Sequence, residues 1–356
     1  MSKHRKKQDI LRVPPPDDAQ LDFFAPLILD IRLKDQREAM ERPFLSFSST
    51  NPQKTPIEYQ SPDGSVWVKV IPHPDYGMAT IHDWDVMIWA ASHIWEAIRN
   101  DEPHSRVIRF YPHALLRSIR RHAAGSTDYN RLRSALDRLK TTTIKTNIRA
   151  NRRKQGITFG WLDDWMEIED TETGEILCWE IAVNRWVYDG ITDKQRILTI
   201  DPDYFLLRNG IDRWLYRIAR KHAGSQPAGF TVSLEELYNK SGSSRAYKKW
   251  AFDVRKKVED RRILGYCFGL YENDGGREMV HMIHVSQLAQ LLQESPLELE
   301  SRLAPGRQQQ ARQIAPEGQG AFWKAEMKKA ARRASRKSAL ANLHATTRSH
   351  LDLDAS

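Results

Sequence analysis

The spacing of histidine and tyrosine decides whether this sequence can support strand-cleavage chemistry. Nicking enzymes hold a metal ion between two histidines that flank one hydrophobic residue, and they use a tyrosine as the nucleophile. The nearest match is "HMIH", in which His281 and His284 stand three residues apart. Residues three apart on a β-strand point to opposite faces. These two histidines are therefore poorly placed to share a metal ion.

Other catalytic motifs are missing from the sequence. The 12 histidines are scattered without H-E-x-x-H spacing, and no paired C-x-x-C occurs. The two cysteines, Cys178 and Cys267, lie in apolar runs and are expected to be small core residues of a protein in a reducing compartment. No G-x-x-x-x-G-K-[ST] loop is present, so no ATPase is indicated. We predict no catalytic residue, no metal and no cofactor, and we expect that the protein is not an enzyme.

The charge balance indicates a polyanionic partner. The chain has 55 Lys and Arg against 46 Asp and Glu, so the net charge is 55 − 46 = +9. This favours double-stranded DNA as the partner, with a membrane surface as the alternative. The basic N-terminus has no apolar core behind it, and no run of about 18 apolar residues occurs. We therefore predict no membrane segment and a cytoplasmic location.

One basic segment, "SSRAYKKWAFDVRKKVEDRRI", has the pattern of a helix with a core face and a cationic face. Its apolar arc consists of Tyr247, Trp250, Ala251, Val254 and Val258. Its opposite arc consists of Arg245, Lys249, Phe252 and Lys256, with Lys248 and Arg255 beside it. Arginine can bind guanine with two hydrogen bonds, phenylalanine can contact a thymine methyl, and lysine suits phosphates. The alternative is an ordinary solvated face, with Phe252 packed on a neighbouring domain.

A second segment, "TDYNRLRSALDRLKTTTIKTNI", repeats this arrangement in weaker form. Leu132, Ala135, Leu136 and Leu139 share one arc. The predicted DNA contacts on the other side are Asn130, Ser134, Arg131, Arg133 and Arg138. Asp137 and Asp128 weaken the prediction, because each either accepts a hydrogen bond from cytosine or simply pairs with a neighbouring arginine.

A basic turn follows the second of these helices. Arg152, Arg153 and Lys154 are placed in a hairpin loop that either contacts a minor groove or DNA backbone, or is a solvated turn.

The elements around these helices occur in the same order twice. A helix in "IHDWDVMIWAASHIWEAI" is expected to bury one face, formed by Trp84, Ile88, Ala91, Trp95 and Ile98. A strand and helix follow in "VIRFYPHALLRSIRRHAAG", then the arginine-bearing helix, then three strands: "TTTIKTNI", "GITFGWLDDWMEIED" and "EILCWEIAV". The second series has a helix starting at Asp201-Pro202, a strand, a short helix capped by Ser233, the lysine-rich helix, and two strands. A turn at Asn273-Asp274-Gly275-Gly276 joins those two strands.

Helix, strand, helix, helix and hairpin is the order of the winged-helix variant of the helix-turn-helix. We therefore predict an α+β protein with two tandem winged-helix domains, each with its third helix in a DNA major groove. In this interpretation "TTTIKTNI" starts the first wing. The predicted boundaries are 1–20, a disordered basic N-terminus; 21–80, an irregular lead-in packing on the first domain, with a hairpin at Asp63-Gly64; 81–198 and 199–290, the two winged-helix domains; and 291–356, a linker and a basic C-terminal tail.

The C-terminal tail has a charge pattern of its own. Between Lys324 and Lys337 it has seven cations against one acid, Glu326, after a segment rich in Gln, Gly and Pro. This favours a tethered basic helix that forms on contact with DNA or a partner. The alternative is a frayed, solvated tail.

Several segments in order resemble the plasmid replication initiator protein A family of bacteria. These segments are "TIHDWDVMIWAASHI", "RFYPHALLRSI", "YNRLRSALDRLKTTTIKTNI" and "GWLDDWMEI", and the resemblance covers about residues 20–290. It implies tandem winged-helix units that bind direct repeats at a plasmid origin, in a bacterial protein associated with the plasmid or nucleoid. It also implies recruitment of the host initiator and the replicative helicase.

Two other functions compete with this one. A transcriptional regulator, including one that represses its own gene, would need the same residues, and an origin-nicking enzyme is the weaker alternative. Because the two third helices differ in sequence, an asymmetric site of about 20 bp present as direct repeats is expected. The sequence leaves open whether the protein forms a homodimer.

Overall fold

A computed structural model of the chain describes residues 23–25, 31–48, 52–121, 125–149, 156–260 and 262–292. Three predicted features lie outside these ranges: the basic N-terminus, the loop residues Arg152, Arg153 and Lys154, and the C-terminal tail. They remain predictions.

The described residues form a mixed α+β structure, as predicted. Its helices, in chain order, are α1 (Arg37–Glu41), α2 (Trp84–Arg99), α3 (Pro112–Ser118), α4 (Ser126–Thr141), α5 (Arg185–Thr192), α6 (Gly210–Ala223), α7 (Leu234–Ser241), α8 (Tyr247–Asp260) and α9 (Val285–Leu292). Its strands are β1 (Phe23–Phe24), β2 (Lys34–Gln36), β3 (Ile57–Gln60), β4 (Trp67–Ile71), β5 (Val107–Phe110), β6 (Thr143–Thr146), β7 (Ile157–Phe159), β8 (Leu162–Glu169), β9 (Ile176–Val183), β10 (Ile197–Thr199), β11 (Phe230–Ser233), β12 (Arg262–Ile263), β13 (Tyr266–Glu272) and β14 (Glu278–His284).

The chain divides into two compact units that are not simple consecutive halves. Unit 1 contains the described residues up to Gln36 and those of 70–202, whereas unit 2 contains those of 37–69 and those after 202. The sequence predicted that all of 21–80 packs on the first domain. In the structure, the part from Arg37 to Lys69 belongs to unit 2 instead. Its hairpin is where it was predicted, with β3 and β4 joined through Gly64 at φ +69°.

Both units contain the same series of elements. Unit 1 has α2, β5, α3, α4 and the β8–β9 hairpin, and unit 2 has α6, β11, α7, α8 and the β13–β14 hairpin. In each unit the single strand pairs antiparallel with the second strand of the hairpin, β5 with β9 and β11 with β14. The repeat predicted from the sequence pattern is therefore also a repeat of sheet connectivity.

The strands after α4 differ from the prediction. β6 pairs with β7, and the hairpin that joins the sheet of unit 1 is β8–β9. The predicted strand from Gly156 is interrupted near Gly160, where a Cβ would lie only 2.7 Å from the Lys140 carbonyl oxygen. Trp161 beside it is fully buried. A close backbone approach and a buried indole thus divide one apolar run into two strands.

Helix α2 is the centre of unit 1. The sequence predicted one buried face, but Val86, Met87 and Trp89 on its other sides are also buried, whereas Trp95 and Ile98 are only half-buried. Its start is fixed by reciprocal hydrogen bonds, since Thr80 N donates to Asp83 Oδ2 at 2.8 Å and Asp83 N donates to Thr80 Oγ1 at 3.1 Å.

In unit 2 the first helix begins later than predicted. Residues Pro202–Leu206 form a short 3₁₀ helix, and α6 begins at Gly210, where the Asn209 side chain accepts a hydrogen bond from Ile211 N at 2.9 Å. The cap predicted at Ser233 is confirmed by its hydrogen bond from Glu236 N at 3.1 Å. The turn predicted after Asn273 is confirmed by the β13–β14 pairing.

Candidate nucleic-acid interface

Helix α8 has one face in the core of unit 2 and one in solvent. Trp250, Ala251, Val254 and Val258 are at most 1% exposed, and the Trp250 ring lies edge-on to Trp214 at 5.9 Å. On the opposite side Lys248, Lys249, Lys256 and Phe252 are exposed. Phe252 is 66% exposed, although burial of an aromatic ring is normally favourable. We call these four residues the α8 outer face.

The predicted core arc of α8 needs one correction. Tyr247 was placed on it, but the side chain is 38% exposed and its ring is stacked beside Trp250 at the start of the helix. The core contacts of α8 therefore begin at Trp250.

The two arginines of this segment have carboxylate partners. Arg245 lies in the turn before α8 rather than on the helix, and it pairs with Asp253 while half-exposed. Arg255 donates to both carboxylate oxygens of Glu278 on β14, at 2.8 and 2.5 Å. This hydrogen bonding holds the pKa of Glu278 below its ordinary value, so the pair is charged at neutral pH. Arg255 thus fixes the hairpin to the helix.

Helix α4 has the predicted core face, but two of its three predicted arginines are paired with carboxylates of unit 1. Arg138 donates to both carboxylate oxygens of Asp83 at 2.8 Å. Burial opposes the charge on Arg138, yet Asp83 outweighs it and raises its pKa. Arg133 donates to both oxygens of Glu167 on β8, at 2.5 and 3.0 Å, and lies over the Trp179 ring. Each guanidinium is held by a carboxylate of its own unit, although the Arg133 side chain is 35% exposed.

Three of the five predicted DNA contacts on α4 remain once the two arginines that pair with carboxylates elsewhere in unit 1 are set aside. Asn130 and Arg131 are exposed and Ser134 is half-buried, with Arg131 near Asp128 at 3.5 Å. Asp137 accepts from the Trp165 indole at 3.1 Å, which gives it a structural partner rather than the arginines considered in the sequence analysis. The outward surface of α4 is therefore much less cationic than that of α8.

The hairpin of unit 1 is acidic, a feature that the sequence analysis missed. Residues 156–184 contain no Lys or Arg and eight acids: Asp163, Asp164, Glu167, Glu169, Asp170, Glu172, Glu175 and Glu180. Backbone hydrogen bonds from Thr173 and Glu172 lower the pKa of Asp170, so the turn stays charged. Asp163, Asp164, Glu167 and Glu180 pair with cations of unit 1. The exposed acids near the turn, Glu169, Glu172 and Glu175, oppose the approach of phosphates. Counting charge along 156–184 would have revealed this.

The histidines of "HMIH" have neighbours that do not suggest a metal site. His281 Nδ1 lies 2.8 Å from Thr231 Oγ1, and burial lowers the pKa of His281 to about 4. His284 Nδ1 lies 2.6 Å from Ser286 Oγ. In the described part of the chain, no three His, Cys, Asp or Glu side chains are grouped so that they could hold a metal ion. Cys178 and Cys267 are buried free thiols, as predicted.

None of the helices in the described ranges combines the length and the apolar character needed to cross a bilayer.

Comparison with known proteins identifies the class as replication initiators. The description "Replication initiator protein A" matches residues 34–268. A relative from Wigglesworthia glossinidia brevipalpis, named "Putative replication protein", is 34% identical over 252 residues, which cover 68% of this chain and 89% of the relative. The chain belongs to the Replication initiator protein A family.

Solved structures show weaker similarity. Domains 2 and 3 of RctB align with 70% of this chain and 98% of theirs, at 13% identity and a TM-score of 0.47. The Pi initiator protein, solved in complex with iteron DNA, aligns with 66% of this chain and 99% of its own, at 15% identity and a TM-score of 0.39.

Proposed function

We propose that both units are winged-helix domains and that the protein binds double-stranded DNA at direct repeats of a plasmid origin. The observation that carries this proposal is the α8 outer face, where an exposed phenylalanine lies among three exposed lysines. The helix is held from behind by Trp250, so it presents this face to a groove without rearrangement. A B-DNA major groove accepts a helix of this kind.

The residues of the proposed interface have different roles. Lys248, Lys249 and Lys256 contact phosphates, and Phe252 contacts a thymine methyl or a base edge. Arg245, which is half-exposed in the turn before α8, reaches a base once it leaves Asp253. On α4 the contacts are Asn130, Arg131 and Ser134. We leave Arg133, Arg138 and Arg255 out of the proposed surface, because each donates two hydrogen bonds to a carboxylate.

Two substitutions test this interface. Arg245→Ala should weaken binding by about 1–3 kcal/mol and relax base preference at one position, as expected for a guanine contact. Lys249→Ala should weaken binding to all sequences alike and lower the slope of log K against log salt by about one. Lys194→Ala, which removes an exposed lysine of unit 1, is the charge-matched control. Unchanged affinity in both variants would show that α8 does not contact DNA.

A replication test separates the initiator from a transcriptional regulator with the same DNA-binding surface. We expect the gene and its neighbouring direct repeats to support replication of a plasmid that lacks another origin. A regulator would bind the repeats without supporting replication.

We also propose that the protein acts by assembly rather than catalysis. It would recruit the host initiator and the replicative helicase to the origin. Incubation of supercoiled origin plasmid with Mg²⁺ or Mn²⁺ should leave it unnicked, and the appearance of nicked product that depends on the protein would reverse this assignment.

A further inference from the structure

Residues 52–58, which precede β3 and form its start, lie against the turn between α7 and α8 of unit 2. Gln53 Nε2 donates to the carbonyl oxygen of Gly242, at 3.5 Å. Ile57 is 3% exposed, and a Cβ on Gly242 would lie 2.9 Å from its side chain. Gly242 itself has φ +61°, a conformation that favours glycine. The segment is therefore positioned by packing on this turn.

The same packing leaves polar and cationic groups exposed. Lys54 and Thr55 are exposed although their neighbour Ile57 is buried. Between the segment and the turn lies an open cleft of about 230 Å³. Its hydroxyl and amide groups come from Thr55, Tyr238, Ser243, Ser244, Gln53 and Asn239.

The charge in the lining of this cleft is balanced by an ion pair. Its one acidic lining residue, Glu58, pairs with Lys69 at 2.6 Å. Tyr238 donates its hydroxyl hydrogen to the Arg245 carbonyl at 2.8 Å, which ties the cleft wall to the residue that leads into α8. The cleft is thus continuous in the chain with the α8 outer face, and Lys54 adds a cation to the same end of unit 2.

We propose that Lys54, Thr55 and Ser244 form a binding site for the sugar-phosphate backbone of DNA beside the groove that α8 occupies. Lys54 would contact phosphate oxygens with its ammonium group, and the hydroxyls of Thr55 and Ser244 would donate to them. This inference rests on the proposed function. It assigns a DNA contact to a segment far from α8 in the chain. Residues 54 and 248 are 248 − 54 = 194 positions apart.

The site can be tested with the full chain and origin DNA. Lys54→Ala should weaken binding to origin DNA and to random DNA by the same factor. It should also lower the slope of log K against log salt by about 0.9, so that the effect of the substitution on affinity differs about eightfold between 1 M and 0.1 M salt. Ser244→Ala should weaken binding to both DNAs to a smaller extent, without changing the slope of log K against log salt. Ethylation interference should lose one phosphate in the Lys54 variant. Lys194→Ala is again the matched control.

Three outcomes are distinguishable. A lower salt slope and the loss of one interfering phosphate in the Lys54 variant, with the Lys194 control unchanged, support the site. If Lys249→Ala weakens binding while Lys54→Ala and Ser244→Ala change neither slope nor interference, the site is refuted and the proposed function stands. If none of these variants alters binding, the proposed function fails together with the site.

Discussion

Three arginines of α4 and α8 have a different role from the lysines of the α8 outer face. Arg133, Arg138 and Arg255 each donate two hydrogen bonds to one carboxylate. The planar guanidinium fits a carboxylate in this way, whereas an ammonium group does not. The lysines of the α8 outer face are exposed. Two-pronged pairing with a carboxylate therefore separates these three arginines from the candidate DNA contacts.

Breaking the Arg138–Asp83 pair should lower the stability of the protein without directly affecting DNA binding. Asp83 is 4% exposed, so Arg138→Met would leave a buried carboxylate without its cation. Removal of one partner of a buried pair costs about 3–5 kcal/mol. We expect that loss in urea unfolding, whereas Arg131→Ala should stay within about 0.5 kcal/mol of the wild type. A stable Arg138 variant with weakened DNA binding would instead make Arg138 a DNA contact.

For Phe252 we predict the opposite result, a loss of DNA binding without a loss of stability. Because the ring is 66% exposed, Phe252→Ala should leave the melting temperature nearly unchanged. Loss of its contact with DNA should weaken origin binding by about 1 kcal/mol, roughly fivefold. Both quantities can be measured on one preparation. A large fall in melting temperature would show that Phe252 is buried in solution, as in the alternative where it packs on a neighbouring domain.

At the scale of elements, one kind of contact recurs between the third helix and the hairpin. Arg133 of α4 binds Glu167 of β8 in unit 1, and Arg255 of α8 binds Glu278 of β14 in unit 2. A different charged cluster fixes α1. Glu41 lies 3.0 Å from Lys221 of α6 and 3.1 Å from Lys240 of α7. These ion pairs set the mutual positions of elements within each unit.

The Glu41 cluster predicts a pH dependence of stability. Burial opposes ionisation of Glu41, but Lys221, Lys240 and Arg42 outweigh it and lower its pKa to about 2. Its ordinary value is 4.5, and a fall of 4.5 − 2 = 2.5 units corresponds to roughly 3 kcal/mol. Because the folded pKa is the lower one, this stability is present above pH 4.5 and is lost as the pH falls towards 2. His222 lies 3.6 Å from Glu41, but burial lowers its pKa to about 4, so at neutral pH it is not a charged partner.

The measurement is the free energy of unfolding against pH for the wild type and Glu41→Gln. The difference between them should be constant above about pH 5 and should shrink between pH 4.5 and 2. Glu58→Gln, which alters a carboxylate with a side chain 69% exposed, is the control. A difference that persists at pH 2 would mean that the Glu41 charge is not what stabilises the cluster.

At the scale of the whole molecule, unit 2 is discontinuous in sequence. Residues 37–69 belong with the residues after 202, although 70–202 lie between them in the chain. Met40, Phe44 and Ile57 of the early segment are buried, and the Phe47 ring lies 5.4 Å from Trp214 of α6. The residues after 202 therefore depend on side chains of residues 37–69 to complete their hydrophobic core.

Truncation tests this discontinuity. A fragment of residues 199–292 should unfold or lose most of its stability, because it lacks the buried side chains of 37–69. Fusing 37–69 to that fragment through a flexible linker should restore a cooperative unfolding transition, followed by circular dichroism. A stable 199–292 fragment would support the consecutive boundaries predicted from the sequence.

The two units also differ in their outer faces, and this predicts an asymmetric DNA site. α8 presents three lysines and Phe252, whereas α4 presents Asn130 and Arg131 beside an acidic hairpin. Site copies are then expected as direct repeats, with stronger protection on the half contacted by unit 2. Hydroxyl-radical and methylation footprints measure this. A palindromic site occupied only by dimers would contradict it.

Local patterns were sufficient for much of the fold. The core arc of α4, the Ser233 cap and the turn after Asn273 were predicted correctly, because each depends on residues within a few positions of one another. The division at Gly160 was missed, since it depends on the approach of the Lys140 backbone.

The sequence by itself determined the repeated order of elements, the core side of each third helix, and the resemblance to replication initiators. Periodicity and local capping are properties of short segments, so they are visible in the chain. Only the tertiary structure decided which cations stay outward, because the partners of Arg138 and Arg255 are 55 and 23 positions away. It also decided that residues 37–69 belong to unit 2, where they pack against Gly242 and Trp214. Such pairings depend on how the chain returns on itself, which no local pattern contains.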